Sequence, residues 1–446
     1  MATEAREKTV SSGMVWYTTV VAAMGAFLDG YDLAIIGGAL VFLVPQWHLG
    51  AGQTGILGSL AFAGMIIGAL IFGRMTDRIG RKSAFVLDLA LFVIGGLLSA
   101  LATGLPMMLI GRFLVGLGIG ADLPISTALI AEISPSHRRG FLTGLMQVFW
   151  FGGAMVSAVV AIALAVHGSP ESWRWMLGSA VVVAAVVMVL RTRIVESPRW
   201  LRAQEEARRT RSVSSDSVSV AARVGSVHAL LSPQYRSSLF LVSLFWFLVT
   251  IRGAAFVVYT PTVLARFGMT SKIGPFEMNV VLFGVYTLVS YISALYIDKV
   301  GRRTIILIGW ALATAVTLWM AFVSSSDPMM LFVVLLLSTV PIQTVTVAIF
   351  PWSVEFFPTK LRGTAQSVAS ASGKLGGLLA ALLFPVILAA VGWQTTVLLF
   401  FALMAVGLLM GLMIKPVETR NKTLEDIVDL APQSQSGGPV HEIAHH

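Results

Sequence analysis

The chain has 446 residues, 56% of them hydrophobic and only 12% charged, with a formal net charge of +9. A soluble globular domain carries about 25% charged residues, so composition excludes a water-soluble enzyme or binding module. There is no cysteine, which excludes disulfides and thiolate metal sites, and the seven histidines show no ligand spacing such as H-E-x-x-H.

Apolar runs of roughly 20 residues, the length that spans hydrocarbon, recur from end to end. In chain order they fall at about 14–43, 54–73, 84–103, 106–131, 140–165 and 173–192, then at 237–265, 277–297, 304–323, 328–351, 363–389 and 393–414. These runs predict an all-α polytopic membrane protein with twelve transmembrane helices, because a helix satisfies its backbone groups within one span. No A-x-A-like site closes a short apolar core near the N-terminus, so the first run reads as a span and not as a removable signal.

Between the spans, positive charge gathers on one side. It fills "GRMTDRIGRK" (73–82), "SPSHRRG" (134–140), "DKVGRR" (298–303) and "TKLRG" (359–363), and nine arginines lie within 191–236. The short loops at 44–53, 166–172, 324–327 and 390–392 contain no Lys or Arg. This asymmetry predicts a multi-pass protein of the cell membrane with both termini in the cytoplasm. It also argues against nucleic acid as a partner, since a basic cytoplasmic face is matched by anionic lipid headgroups.

The chain repeats itself. "GRMTDRIGRK" after the second span returns as "LYIDKVGRR" after the eighth, with Asp77 and Asp298 separated by 221 residues. "AEISPSHRRG" returns as "VEFFPTKLRG", Glu132 to Glu355 being 223, and "VESPRW" as "VETRNK", Glu196 to Glu418 being 222. Three correspondences at nearly one offset predict two pseudo-symmetric six-helix bundles, an arrangement of secondary transporters whose substrate site lies between the halves near mid-membrane. The expected division is 1–192 for the N-terminal bundle, 193–236 for a cytoplasmic loop, 237–414 for the C-terminal bundle and 415–446 for a cytoplasmic tail. The loop is Ser- and Arg-rich at 204–228 and reads as one short helix with a loose tail.

These motifs resemble a known family. "GRMTDRIGRK" is similar to the loop signature of the major facilitator superfamily, and the resemblance covers essentially the whole chain. "VESPRWL" and "PVETRNKTLEDI" resemble signatures of its sugar-porter-like branch. "LDGYDLAIIG" is closer to the aromatic-acid/proton symporters, and "GLGIGADLPIST" to phosphate, niacin and related organic-ion carriers.

The loop motifs offer paired charges at the cytoplasmic ends of helices: Asp77 with Arg81, Glu132 with Arg138, Asp298 with Arg302, and Glu355 with Arg362. A carboxylate there can pair with a guanidinium or cap a helix of the facing half, so these pairs are expected either to gate the cytoplasmic side or to staple the fold. The glycines of "GRFLVGLGIG" (111–120) lie in an apolar run with no strand before them, so they are not a nucleotide fingerprint. Gly116 and Gly120, like Gly64 and Gly68, are four apart, a spacing for close helix packing. "SASGK" (370–374) is no phosphate loop either, because Val368 and Leu375 stand where it needs Gly and Ser or Thr. With neither an ATP site nor any other cofactor motif, an ion gradient is the expected energy source.

Charges inside spans carry the functional signal, since an ionised side chain at mid-bilayer costs about 2.5–3.5 kcal/mol on insertion scales and usually faces the bundle interior. Asp29 and Asp32 lie three apart in the first span, Asp122 precedes Pro124 in the fourth, Arg252 lies in the seventh and Lys374 in the eleventh; Asp88 is shallower. The five deep groups are expected to converge on one wet cavity, or else to be structural ion pairs. Burial disfavours the ionised form of a carboxylate, which suits proton exchange, so Asp29, Asp32 and Asp122 are the candidate coupling residues. Two carboxylates as close as Asp29 and Asp32 are expected to titrate as a pair, and Asp32 could instead neutralise Lys374.

Arg252 and Lys374 point to an anionic substrate, the guanidinium as a fork for carboxylate and the ammonium as a point charge. The resemblance implies the same for Lys374, whose position in "ASGKLGG" (371–377) is basic in the organic-anion carriers, and it makes Asp122 and Gln147 cavity positions. The chain departs from the phosphate carriers at Thr250, where an acid is expected, and from the sugar carriers in lacking a Gln-Gln/Asn cluster in span seven. Trp246, Tyr259, Phe149, Trp150 and Trp352 could stack on a ring-bearing ligand or simply pack. The expected function is proton-coupled symport of a small, ring-bearing or other organic anion by a monomer. Alternatives are a sugar, polyol or phosphate symporter, a cationic-drug exporter (which would favour acids over bases), and a receptor or scaffold of the same fold. A membrane enzyme is not expected.

Overall fold

The computed structural model describes residues 12–79, 81–133, 139–166, 169–191, 229–266, 274–323, 328–355, 357 and 359–414. Among them every long element is a helix: α1 (Ser12–Gln46), α2 (Ala51–Ile79), α3 (Arg81–Ala100), α4 (Leu105–Ile133), α5 (Arg139–Ala165), α6 (Ser172–Arg191), α7 (Arg236–Arg266), α8 (Gly274–Val300), α9 (Arg302–Ala321), α10 (Pro328–Glu355) and α11 (Thr359–Ile414). Most of the loop expected at 193–236 and all of the tail expected at 415–446 lie outside the described residues.

Ten stretches are long and apolar enough to cross a bilayer. The last of them belongs to α11, whose 56 residues would measure about 84 Å at 1.5 Å per residue, far more than one bilayer. Gly392 interrupts it with φ 76° and ψ 179°, a left-handed φ that glycine adopts without a Cβ penalty. The element therefore divides at the expected loop into 359–391 and 393–414, each long enough for one passage. With α4, whose apolar part is Leu105–Gly120, the arrangement has its twelve passages.

Within the first six helices, α2 and α3 pack on α4, α1 packs on α5 and α6, and α3 on α6. In the second set α7 packs on α11, α9 on α10 and α11, and α8 on α10. Between the sets α5 lies along α8, α2 along α11, and α1 meets α7. Advancing each label by six turns the α2–α4 packing into that of α8 on α10, the α1–α5 packing into that of α7 on α11, and the α5–α8 contact between the sets into that of α11 with α2, so the sequence duplication reappears as a pseudo-two-fold pairing. Outward side chains such as Leu70, Ile110, Val182 and Leu312 are more than half exposed, as a surface facing lipid requires.

The glycine spacing acts as read. A Cβ on Gly116 would strike the Ala61 carbonyl and one on Gly120 the Met65 carbonyl, while Gly64 and Gly68 lie equally hard against Phe113 and Leu117 of α4. α2 and α4 thus touch backbone to backbone along both of their glycine rows. Because the obstacle is main chain, it cannot rotate away. Gly116→Val should cost about 1–3 kcal/mol of overpacking or more, read as a clear fall in the thermal unfolding midpoint of the detergent-purified protein. An unchanged midpoint would mean that α2 and α4 separate freely.

At the face opposite the two termini, polar side chains tie helix ends together. Gln46 donates to Glu171 (2.9 Å) and accepts from the Trp173 indole (2.7 Å). Arg174 pairs with Glu171, donates to the Ala100 and Ala102 carbonyls, and lies 4.2 Å from the Trp173 ring centroid. The hydrogen bond from Arg174, then that from Gln46, holds the Glu171 carboxyl below the ordinary carboxylate range. Tyr259 adds a bridge between three helices, its hydroxyl lying 2.7 Å from the Ala381 carbonyl of α11 and 3.3 Å from the Thr54 carbonyl of α2.

Candidate functional site

The charges inside the bundle do not form one cavity cluster; they separate into three groups. The first is Asp32 of α1 with Arg112 of α4. Both are 1% exposed, and the guanidinium makes two bonds to the two carboxylate oxygens, at 2.9 and 2.5 Å. This fork-to-fork geometry is the strong form of an ion pair. Arg112, and not Lys374, is therefore the cation that neutralises Asp32. Arg112 escaped the sequence reading because "GRFLVG" looked like a glycine-rich packing stretch; an arginine inside an apolar run was the signal.

The second group surrounds Asp122 of α4. Arg191, the last residue of α6, is 1% exposed and places one Nη 2.5 Å from Asp122 Oδ1 and the other 3.8 Å from Asp88 Oδ2 of α3. Its guanidinium also lies 4.2 Å from the Phe85 ring centroid, and Ser126 bonds Asp122 at 3.4 Å. Sequence reading had counted Arg191 with the arginine-rich segment that follows. Its long stem instead carries the charge inward to Asp122 and Asp88, against the usual habit of such side chains at span ends, which keep the charged head in water. Asp88, expected to be shallow, is only 2% exposed because α3 packs on both α4 and α6 at that level.

Asp29, 6% exposed, belongs to this second group: the charges acting on it are those of Asp122, Lys374, Arg191 and Asp88. The expected Asp29–Asp32 pair is thus divided, one carboxylate going to each group: Arg112 bonds Asp32, while Asp29 faces Asp122 and Lys374. Gly25 makes room for the arrangement. A Cβ there would fall on the Asp122 carboxylate and the Arg191 guanidinium.

Lys374 reaches this group from the other half. On half-buried α11 it faces Asp29 and Asp122 and donates to the Gly120 carbonyl of α4 at 3.4 Å. That acceptor is supplied by the sequence. Pro124 has no N–H, so the carbonyl four residues earlier loses its helical donor, and this carbonyl is Gly120.

The third group is Arg252 of α7, 1% exposed. It lies 5.2 Å from the Phe256 ring centroid with the Tyr286 phenol beside it. Among the described residues no carboxylate pairs with it, and none of its nitrogens completes a well-formed hydrogen bond. Tyr286 stacks on Phe151 of α5 at 4.5 Å and 8°, and Phe151 meets Trp150 edge-on at 4.6 Å, so an aromatic row leads from Arg252 into the other half. Sequence reading did not anticipate Tyr286.

The remaining candidates are dispersed. Trp246 packs edge-on to Phe350 at 4.6 Å, borders Gly373 beside Lys374, and has no partner for its buried indole N–H among the described residues. Gln147 and Phe149 are half-buried on α5. The Tyr259 hydroxyl is committed to backbone carbonyls. Arg302 is buried at the start of α9, 3.5 Å from the Ile297 carbonyl. The side chains of Asp77, Arg81, Glu132, Asp298, Trp352, Glu355 and Arg362, and the whole of Arg138, lie outside the described residues.

The comparisons with known proteins agree with this architecture. A family model described as sugar (and other) transporter matches residues 18–430. The putative niacin/nicotinamide transporter NiaP of Bacillus subtilis (strain 168) is 30% identical over 364 residues, 81% of this chain and 86% of that protein. The arabinose-proton symporter of the same organism is 28% identical over 450 residues, 94% of this chain and 96% of that one. The solved proton:xylose symporter XylE of E. coli, bound to 6-bromo-6-deoxy-D-glucose, is similar in fold with a TM-score of 0.74 at 22% identity, covering 94% of this chain and all of that one.

Proposed function

The chain belongs to the sugar (and other) transporter family, and from that premise we propose that it is a proton-coupled symporter of a small organic anion, working by alternating access in the cell membrane with both termini cytoplasmic. Asp32, in a dry ion pair with Arg112, and Asp29 and Asp122, near Lys374, are the coupling carboxylates of this reading. The loop pairs at Asp77–Arg81, Glu132–Arg138, Asp298–Arg302 and Glu355–Arg362 gate the cytoplasmic side. Proton coupling draws support from the arabinose-proton symporter among its relatives.

One observation carries the choice of an anion: Arg252, a buried guanidinium without a carboxylate among the described residues. A buried charge is costly unless paired, and a substrate carboxylate would complete it as a bidentate partner. The neighbouring aromatic row gives a ring-bearing acid a surface to stack on, and the similar NiaP is named a putative transporter of niacin and nicotinamide. A neutral sugar is the second reading, favoured by the family description and by the arabinose-proton symporter.

The deciding experiment is a thermal-shift screen of the purified protein against aromatic and aliphatic carboxylates, phosphate and sugars, because a ligand that binds the folded state raises its stability. A carboxylate should stabilise the wild type, and Arg252→Ala should remove most of that shift. Stabilisation by sugars alone, unchanged in Arg252→Ala, would select the second reading.

A further inference from the structure

Three carboxylates and two cations meet in the second group: Asp29, Asp88 and Asp122 against Arg191 and Lys374. With every group ionised the cluster would carry one uncompensated negative charge in a place where Asp88, Asp122 and Arg191 are all at least 96% buried. A buried group in that position neutralises itself by taking up a proton.

The geometry singles out which one. Asp122 has a guanidinium nitrogen at 2.5 Å and the Ser126 hydroxyl at 3.4 Å. Asp29 is the most exposed of the three and faces Lys374. Asp88 has neither advantage. Among the described residues no side chain hydrogen-bonds either of its buried oxygens, the Leu89 N–H being the one backbone donor beside them, and its nearest cation is 3.8 Å away, already held by Asp122. The groups facing it are Arg191 from α6, Asp122 from α4 and Asp29 from α1, while the charged side chains of α2, Arg74, Asp77 and Arg78, lie outside those described.

We propose that Asp88 is a further proton-binding residue of the transporter, neutral in this conformation, and that Arg191 is the counter-ion it shares with Asp122. The inference rests on the proton-coupled reading above and extends it to α3 and α6. When the proton of Asp88 passes to Asp122, the guanidinium turns from Asp122 to Asp88. One proton and one cation change places between two carboxylates, so the count of each and the net charge stay the same, and no bare charge is left in the bundle. Asp29, which faces Lys374 of the second half, connects this exchange to the interface between the halves. Arg191 is a positioning residue here; it carries no proton itself.

The test needs no substrate. Infrared spectra of the full-length purified protein, titrated through neutral pH, should contain the carbonyl stretch of a protonated carboxyl group. Asp88→Asn should remove that band and Asp32→Asn should keep it. Arg191→Gln, which strips Asp122 of its cation, should add intensity, and Arg191→Lys should restore the wild-type spectrum. In protein labelled with carbon-13 at the aspartate carboxyls, the wild-type band should move and the band of Asp88→Glu, carrying unlabelled glutamate, should not. A band unaltered in Asp88→Asn, or one that stays labelled in Asp88→Glu, would overturn the proposal. Failure of the coupling reading shows elsewhere, in gradient-driven uptake by Asp32→Asn, and leaves these spectra unaffected.

Discussion

Asp32→Asn should abolish accumulation of substrate driven by a pH gradient while leaving counterflow exchange in place. The amide imitates a permanently protonated carboxyl, so the binding event survives and the step that responds to protons does not. The effect should be large because the pair is dry and doubly bonded, with Arg112 at 2.9 and 2.5 Å. Removing one member of a buried ion pair leaves the other uncompensated, at a cost of about 3–5 kcal/mol. That cost falls on the resting conformation and should also lower the unfolding midpoint. Arg112→Gln added to Asp32→Asn takes away the stranded charge and should recover much of the stability without restoring uphill uptake. The measurement is paired uptake and exchange in proteoliposomes for each variant. Full pH-driven accumulation in Asp32→Asn would reduce the pair to a structural strut between α1 and α4.

Lys374→Ala should weaken binding of an anionic substrate tenfold or more. Lys374 is the one cation that the second half extends toward Asp29 and Asp122 among the described residues. Truncating one partner of a desolvated charge pair commonly costs about 2–5 kcal/mol, and each 1.4 kcal/mol or so is a factor of ten in affinity. The variant leaves Asp29 and Asp122 with less compensation, so an anion meets repulsion as well as a missing partner. Titration of the purified variant with the carboxylate that stabilises the wild type reads the loss directly. Undiminished affinity would detach Lys374 from the substrate and leave it as an internal counter-ion.

Several features of the molecule were legible before any coordinates. The spans, the duplication and the glycine contacts of α2 with α4 all follow from length, offset and spacing, which are properties of the chain in one dimension. Even the division of α11 at Gly392 coincides with a loop read from the sequence, although one residue suffices to make it. Partner choice was not legible. Asp29 and Asp32 share a helix and look like a pair, yet Arg112 stands 80 residues from Asp32 and reaches it only because α4 packs against α1. Arg191 was hidden by its surroundings, since a basic residue that ends a span and opens an arginine-rich loop looks like part of the loop. Asp88 reads as shallow from its place along its own helix, and the burial it receives from two neighbouring helices is a property of the fold. Arg252 was found by residue type alone, and its isolation from every described carboxylate is a property of the fold that no pattern in the chain encodes.

The seat of Lys374 has a consequence for how the two halves part. Its acceptor is the Gly120 carbonyl, left vacant along α4 by a proline one turn later, and a peptide oxygen does not titrate in the physiological range. The acceptor of this tether is therefore indifferent to acidity, while the carboxylates that face the same ammonium are not. At the carbonyl, undocking replaces one ammonium by one water molecule, a nearly even exchange; the rest of the cost is the separation of Lys374 from Asp29 and Asp122. Acidity therefore reaches the catch through its ammonium: with Asp29 and Asp122 protonated, less charge holds Lys374 and the halves part at lower cost.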